Sequence, residues 1–433
     1  MSIIEILKDG SLLEQYYGST MKLHDVIRNV SVWISSSVQK ERKSLVRSGI
    51  GLHQIREDEL SSKSYKRVSF MNNQIKELPK AVKECPTVST LLLQRNGALE
   101  GIRDQFLTAF MSLKILDLSY CNLIKSLPPC LDQLGELRAL ALDSCAQLET
   151  LPPVGGSQNS SKLTVIPCGV MSGLCNLEYL DMRGNKQLKI IGERGEVSNL
   201  FEEIPPLDRL IVLLVGLDSS TCTLQTTHTN NLPDRIMKLK KFELSIGSSH
   251  KVSTVDTETT KMVCLLNIHE WGERMEWLFV NSSSVYFQDC GGLDVVFDKL
   301  VGKSDEVGSF DTVKLLYISD YKGGNGSSSD AKFDMLPNLE YIYWENLTPV
   351  SSISDLVLAL GLKLSKLRHI DVVGCPELKC LITTTLPLTL EMLELVSVHR
   401  CEKVEQLFKF DDHQNSCVLF QNSRNLICQI VQS

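Results

Sequence analysis

The sequence has no apolar run long enough to cross a membrane. Its strongest, Ile211–Leu217 (IVLLVGL), falls far short of the roughly 20 residues a spanning helix requires. A secretory leader is also missing from its opening. Met1–Gly10 (MSIIEILKDG) carries Glu5, Lys8 and Asp9 and has neither a clean apolar core nor a cleavage site. Together these absences predict an intracellular protein. Positive charge is in short supply: 45 Lys and Arg stand against 52 Asp and Glu, a formal net charge of −7. That argues against a generally basic surface and against nucleic acid as a partner. Catalytic signatures are absent too. There is no G-x-S-x-G, no H-E-x-x-H and no C-x-x-C, and the 8 histidines are scattered. The one Gly-Lys-Ser, Gly302-Lys303-Ser304, has Phe297 where a phosphate-cradling loop needs its first glycine. No enzyme and no metal site is expected.

What the chain does have is a recurring line. It is clearest at Leu113–Leu127 (LKILDLSYCNLIKSL) and returns at Leu137–Leu151 (LRALALDSCAQLETL). Apolar residues fall at steps 1, 4 and 6, Asn or Cys at step 9, and another apolar residue at step 12. Steps 4 and 6 share one side of a short strand because side chains alternate along extended backbone. One such unit cannot bury its apolar face alone, so units must stack. This is the leucine-rich repeat. The fold class expected is therefore α/β: a curved solenoid with parallel strands on its concave face. Of the 14 cysteines, Cys121, Cys145, Cys290, Cys375 and Cys401 all fall at step 9. A row of equivalent positions predicts buried structural thiols, not disulfides.

The chain divides by pattern. Residues 1–35 lie outside the repeat: a helix end at Ile3–Lys8, a small hairpin from Ser11–Glu14 and Thr20–Leu23, then an amphipathic helix with Val26, Val30, Trp33 and Ile34 on one face. Residues 36–64 read as a polar connector. A first block of repeats, 65–199, has units starting at Tyr65, Val88, Leu113, Leu137 and Leu177. Residues 200–281 hold degenerate repeats and loops, with strands expected at Leu210–Val215 and Leu239–Ile246. A second block, 282–412, has units starting at Ser282, Val313, Leu339, Leu367 and Leu393. Residues 413–433 form a tail that fits no repeat. Some 10–13 units are expected in all.

One stretch outside the repeats carries more identity than the repeats do: Met21–Trp33, MKLHDVIRNVSVW. It resembles the end of the nucleotide-binding (NB-ARC) region of plant intracellular immune receptors of the NB-LRR class, most closely the coiled-coil type. In that class a Met-His-Asp triplet lies between a winged-helix hairpin and a helix, ahead of a connector and leucine-rich repeats. Here the triplet is Leu23-His24-Asp25. Leu-Pro ends to the units and Cys-Pro-Glu-Leu at Cys375–Leu378 also match.

The resemblance implies a plant defence protein, truncated to the end of the winged-helix region plus the repeats. It implies that His24 senses the β-phosphate of ADP and that Asp25 supports it. With no phosphate-cradling loop in the sequence, tight ADP or ATP binding by this chain alone is not expected. The implied partners are a pathogen effector or a guarded host protein, and the nucleotide-binding domain of a full-length receptor. A stand-alone leucine-rich-repeat scaffold or adaptor is the alternative.

Binding residues are sought between the buried steps, on the concave face: Tyr179, Asp181 and Arg183; Tyr341, Tyr343 and Glu345; His369 and Asp371. Tyr and Arg are the usual anchors of protein interfaces. Trp271, Trp277 and Trp344 are expected to pack.

Overall fold

Each repeat places its step-4 and step-6 residues inward. Val68 and Phe70, Leu91 and Leu93, Leu116 and Leu118, Leu140 and Leu142 are all fully buried. The strand that presents them is short because the backbone turns left-handed at step 8. Positive φ recurs there at Asn72, Arg95, Tyr120, Ser144 and Gly184, then at Asn267, Asp289, Asp320, Asn346, Gly374 and Arg400. Left-handed backbone ends a strand and is uncommon for residues other than Gly and Asn. The ladder survives the turn, since the step-8 amide still donates to the neighbouring coil: Asn72 N–H to the Gln94 carbonyl at 2.8 Å, Arg95 to Ser119 at 2.8 Å, Tyr120 to Asp143 at 2.7 Å. Step-8 residues stack closely. A Cβ on Gly184 would lie 2.5 Å from Ser144 Oγ, and one on Gly374 would lie 2.5 Å from Asn346 Oδ1, so glycine fits both in φ and in space.

Step 9 then turns inward to satisfy the turning backbone. The Asn96 amide donates to the carbonyls of Leu93 (2.7 Å) and Phe70 (3.0 Å), and its oxygen accepts from Ile75 N–H (3.3 Å). Cysteine does part of the same work with one donor. The thiols of Cys121, Cys145 and Cys290 donate to the carbonyls of Leu93, Leu118 and Leu265 at 3.2–3.3 Å. Burial pushes Cys121 and Cys145 up to about 12 and Cys290 up to about 11, so these thiols stay protonated. All the described cysteines are free.

The computed structural model describes residues 13–17, 20–23, 44–60, 65–80, 82–148, 165–167, 174–185, 189–191, 197–198, 209–217, 238–247, 261–271, 279, 281–293, 296–297, 310–322, 336–352, 354, 357, 360, 362–383, 390–409 and 427–431. The chain divides into two units, residues 1–216 with 249–258, and residues 217–248 with 259–433.

In the first unit, β1 (Leu13–Tyr17) and β2 (Thr20–Leu23) form the expected antiparallel hairpin, Leu13 opposite Leu23. The helices expected on either side of it, with His24 and Asp25, lie outside the described residues. The parallel sheet begins at β3 (Ser44–Val46) and continues through β4 (Arg67–Ser69), β5 (Thr90–Leu92), β6 (Ile115–Asp117) and β7 (Ala139–Ala141). The segment β8 (Val165–Pro167) leaves it to form a small side sheet. Strand β9 (Tyr179–Met182) rejoins the main sheet, β10 (Lys189–Ile191) and β11 (Val197–Ser198) complete the side sheet, and β12 (Val212–Leu217) pairs with β9.

The connector expected over 36–64 thus carries a strand, because Leu45 pairs in register with Val68. Short helical turns return the chain: 3₁₀ turns at Glu57–Leu60 and Pro129–Gln133, and an α-helix at Asp104–Leu107 that runs into a 3₁₀ turn at Thr108–Phe110. Proline starts one of them, where no amide partner is needed. The α part of the α/β expectation is slight among the described residues.

The second unit has longer strands: β13 (Lys241–Gly247), β14 (Lys261–Leu266), β15 (Ser284–Gln288), β16 (Leu315–Ser319), β17 (Tyr341–Glu345) and β18 (His369–Val373), all parallel and in register. A short strand, β19 (Cys380–Thr383), sits aside. The main sheet continues with β20 (Leu395–His399), β21 (Gln406–Lys409) pairs with β19, and β22 (Ile427–Val431) pairs with β20. Its core is aromatic. Phe287 lies 6.2 Å from Phe279, 6.0 Å from Phe297 and 6.2 Å from Trp271, ring centre to ring centre, and Trp344 is fully buried. Trp344 packs as expected, and Trp271 also donates its N–H to the Gly291 carbonyl at 2.6 Å. Trp277 lies outside the described residues.

Two strands lie beyond the repeats counted in the sequence. Within the tail that fits no repeat, β22 adds a further strand in register. Lys261–Leu266 is a strand the repeat count missed. The main parallel strands among the described residues, fifteen in number, therefore exceed the 10–13 expected.

Candidate partner-binding face

The residues between the buried steps lie on the opposite face of each sheet, at steps 3, 5 and 7. In the second unit this face changes character along the sheet. On β14, β15 and β16 it is closed at steps 3 and 5: Cys264, Ser284, Tyr286, Leu315 and Tyr317 are all buried. On β17 and β18 it is open, and Tyr341, Tyr343, Glu345, His369 and Asp371 are all partly exposed. Five of the expected binding residues therefore fall on two adjacent strands, with Tyr341 beside His369 and Tyr343 beside Asp371.

The rings in this strip are ordered. Tyr286, Tyr317 and Tyr343 occupy step 5 on three successive strands, with centroids 5.1 Å and then 4.9 Å apart, the second pair nearly parallel at 13°. One step-row away, Tyr341 and His369 lie 4.6 Å apart. The Tyr317 hydroxyl donates to Glu345 Oε2 at 2.7 Å. Burial first, then the Glu345 and Asp371 charges, push the Tyr343 hydroxyl above its ordinary range. The sequence reading missed Tyr286 and Tyr317. Their signal was readable at step 5 of SSSVYFQDC and VKLLYISDY.

At the edge of the same face, charges are compensated strand to strand. Lys314 pairs with Glu340 at 2.8 Å and Arg368 with Glu394 at 2.6 Å. Inside the strip, neither Glu345 nor Asp371 forms an ion pair among the described residues.

The first unit places its expected trio differently. Tyr179 and Asp181 lie on β9, and Arg183 follows at step 7. The guanidinium grips the Asp181 carboxylate with both arms, Nε to Oδ1 at 3.0 Å and Nη2 to Oδ2 at 2.8 Å, and the Tyr179 hydroxyl adds a bond to Oδ2 at 3.2 Å. Asp181 is only 4% exposed. It therefore orders Arg183 and does not itself face a partner, a correction to the expectation. Nearby, Asp117 is held above the usual carboxylate range, mainly by burial, with Asp181 and Asp143 adding to the shift. Leu23 ends β2, and no geometry bears on His24 or Asp25. Among the described residues no group of acidic, Cys and His side chains could hold a metal, and no helix is long and apolar enough to cross a membrane.

The leucine-rich-repeat family model matches residues 112–134, the line around Leu113–Leu127. The disease resistance protein At4g27190 of Arabidopsis thaliana is 34% identical over 94% of this chain. A second Arabidopsis protein, named as a probable disease resistance protein, At4g27220, is 31% identical over 95% of it. Over nearly its whole length the chain is thus similar to plant disease resistance proteins. It spans 45% and 47% of the length of these two relatives. Among solved structures, the functional domain of InlJ from Listeria monocytogenes, which includes a cysteine ladder, aligns over 87% of this chain and 70% of its own at 11% identity. The TM-score of 0.32 is too low for that likeness to carry weight.

Proposed function

We propose that this chain is the sensing and restraining portion of an intracellular plant immune receptor. It recognises a pathogen effector, or a host protein that an effector modifies, by protein–protein contact and without chemistry. At rest it would also contact the nucleotide-binding domain of the full-length receptor. The observation that carries the reading is the open strip of Tyr341, Tyr343, Glu345, His369 and Asp371 on two adjacent strands, beside strands whose same face is closed. Exposed tyrosines held rigid by stacking are efficient interface anchors, since little side-chain freedom is lost on binding.

In this reading nucleotide belongs to the switch of the whole receptor. His24 can donate to a phosphate oxygen, yet Phe297 stands where the sequence's one Gly-Lys-Ser would need glycine. Calorimetry on the chain is expected to show no tight ADP binding. Micromolar binding that disappears in His24→Ala would contradict this. The function itself is tested in the plant. Disrupting the gene is expected to make plants susceptible to at least one pathogen isolate that the wild type stops. Unchanged resistance across a broad panel would overturn the reading.

A further inference from the structure

We infer that the open strip on β17 and β18 receives a cationic side chain, arginine or lysine, carried by the partner protein. The inference rests on the docking role just proposed and names what docks.

The first unit supplies an internal template. There the order along the chain is Tyr179, Asp181, Arg183 at steps 3, 5 and 7, and the arginine closes on the aspartate two residues before it. On β18 the same three steps carry His369, Asp371 and Val373, with Tyr341, Tyr343 and Glu345 alongside on β17. The aromatic step and the carboxylate step recur. The arginine step is a valine. The chain thus provides the cation in one unit and omits it in the other.

The surroundings of Asp371 favour a cation from outside. Aromatic faces attract cations through the ring quadrupole. Here Tyr343 stacks on Tyr317 at 4.9 Å and Tyr341 packs on His369 at 4.6 Å. Two carboxylates flank the rings, and Glu345 is held by the Tyr317 hydroxyl at 2.7 Å. Lys314 and Arg368, at the edge of the face, are engaged with Glu340 and Glu394; His369 lies 3.8 Å from Glu394, and His399, beside Val373, hydrogen-bonds with the Ser397 hydroxyl at 2.7 Å. A neutral or acidic side chain entering the strip would leave the two carboxylates uncompensated, while a guanidinium or ammonium would pair with them. A planar guanidinium suits both the carboxylate fork and a ring face.

The test is selection of a displayed random-peptide library on the full chain, with three variants in parallel. Tyr341→Ala/Tyr343→Ala removes the ring faces. Val373→Arg places a guanidinium two residues after Asp371, as Arg183 stands after Asp181. Val373→Gln adds length without charge. Wild type and Val373→Gln are expected to enrich peptides with Arg or Lys at one fixed position. Binding of those peptides should fall at least about tenfold in Tyr341→Ala/Tyr343→Ala and in Val373→Arg, and less than about threefold in Val373→Gln. Replacing the selected Arg or Lys by Gln in the peptide should cost a similar factor. Circular dichroism confirms that each variant is folded. Peptides that need Tyr341 and Tyr343 but show no basic residue, or that bind Val373→Arg as well as wild type, overturn the cation proposal and leave the docking face standing. A selection with no peptides dependent on Tyr341 and Tyr343 overturns both.

Discussion

In the first unit, Asp181 is buried under its own Arg183, and the strands from β3 to β9 run three or four residues before the turn. In the second, Asp371 stands two residues before a valine, and the strands from β15 to β18 run five residues with tyrosines stacked across them. Both units share the inward leucines, the left-handed residue at step 8 and the capping side chain at step 9. Besides strand length and the aromatic core, the units differ on the opposite face. A repeat scaffold therefore fixes where a side chain points and leaves its chemistry free, so one sheet face is self-satisfied and another is left with charge to share.

The comparison breaks first in the core. Trp344 is fully buried on β17, and Trp344→Ala is expected to remove about 3–5 kcal/mol of stability, read as a fall in the urea midpoint with little change in slope. Its indole N–H has no hydrogen-bond partner among the described residues. Trp344→Phe should therefore cost clearly less than Trp344→Ala, since no satisfied hydrogen bond is lost. Equal losses would mean that the ring's volume is not what the site holds.

The step-9 row comes next. Asn96→Ala leaves the Ile75 amide without its acceptor and takes one donor each from the carbonyls of Leu93, which keeps Cys121, and Phe70, which keeps Asn73; it should cost about 2 kcal/mol. Cys145→Ala removes one weak donor to Leu118 and a small apolar volume, and should cost about 1 kcal/mol. Thermal unfolding of the two variants side by side checks the order. A Cys145 loss matching that of Asn96 would show that the thiol does more than cap.

The smallest effect concerns Asp117. Its folded-state pKa is raised, chiefly by burial, so the ionised form is penalised by folding. The sign follows: the folded state binds the extra proton, and the penalty is present above the folded pKa and vanishes as pH falls below the unfolded value. Asp117→Asn keeps an acceptor for the Ser119 amide. It is expected to raise stability by less than about 1 kcal/mol at about pH 7 and to make no difference at about pH 3. A loss at neutral pH would show that the charge is wanted there.

Much of this was legible in the sequence. The period placed β4 to β7, β9 and β15 to β18 because each has leucine-like residues at steps 4 and 6 and a turn signal after them. The strand Lys261–Leu266 was missed because KMVCLL is apolar on both faces and so shows no alternation. Ser44–Val46 was hidden in a charged stretch, held by pairing with β4 and not by its own pattern. The tail strand Ile427–Val431 gained its register only from β20. The candidate residues on β17 and β18 were visible as exposed steps. Their isolation was not, since it depends on which neighbouring strands have a closed face and on which carboxylates already hold a cation. Asp181 shows the same limit from the other side: its position was readable, while its burial under Arg183 was not.

The account's central claim is that the second unit, at β17 and β18, presents the face that meets a partner. The most direct measurement is the affinity of one selected peptide for two double variants, Tyr341→Ala/Tyr343→Ala in the second unit and Ile115→Ala/Asp117→Asn on the same face of the first. The account predicts at least about a tenfold loss for the former and less than about twofold for the latter. Loss confined to the Ile115 and Asp117 variant would contradict it.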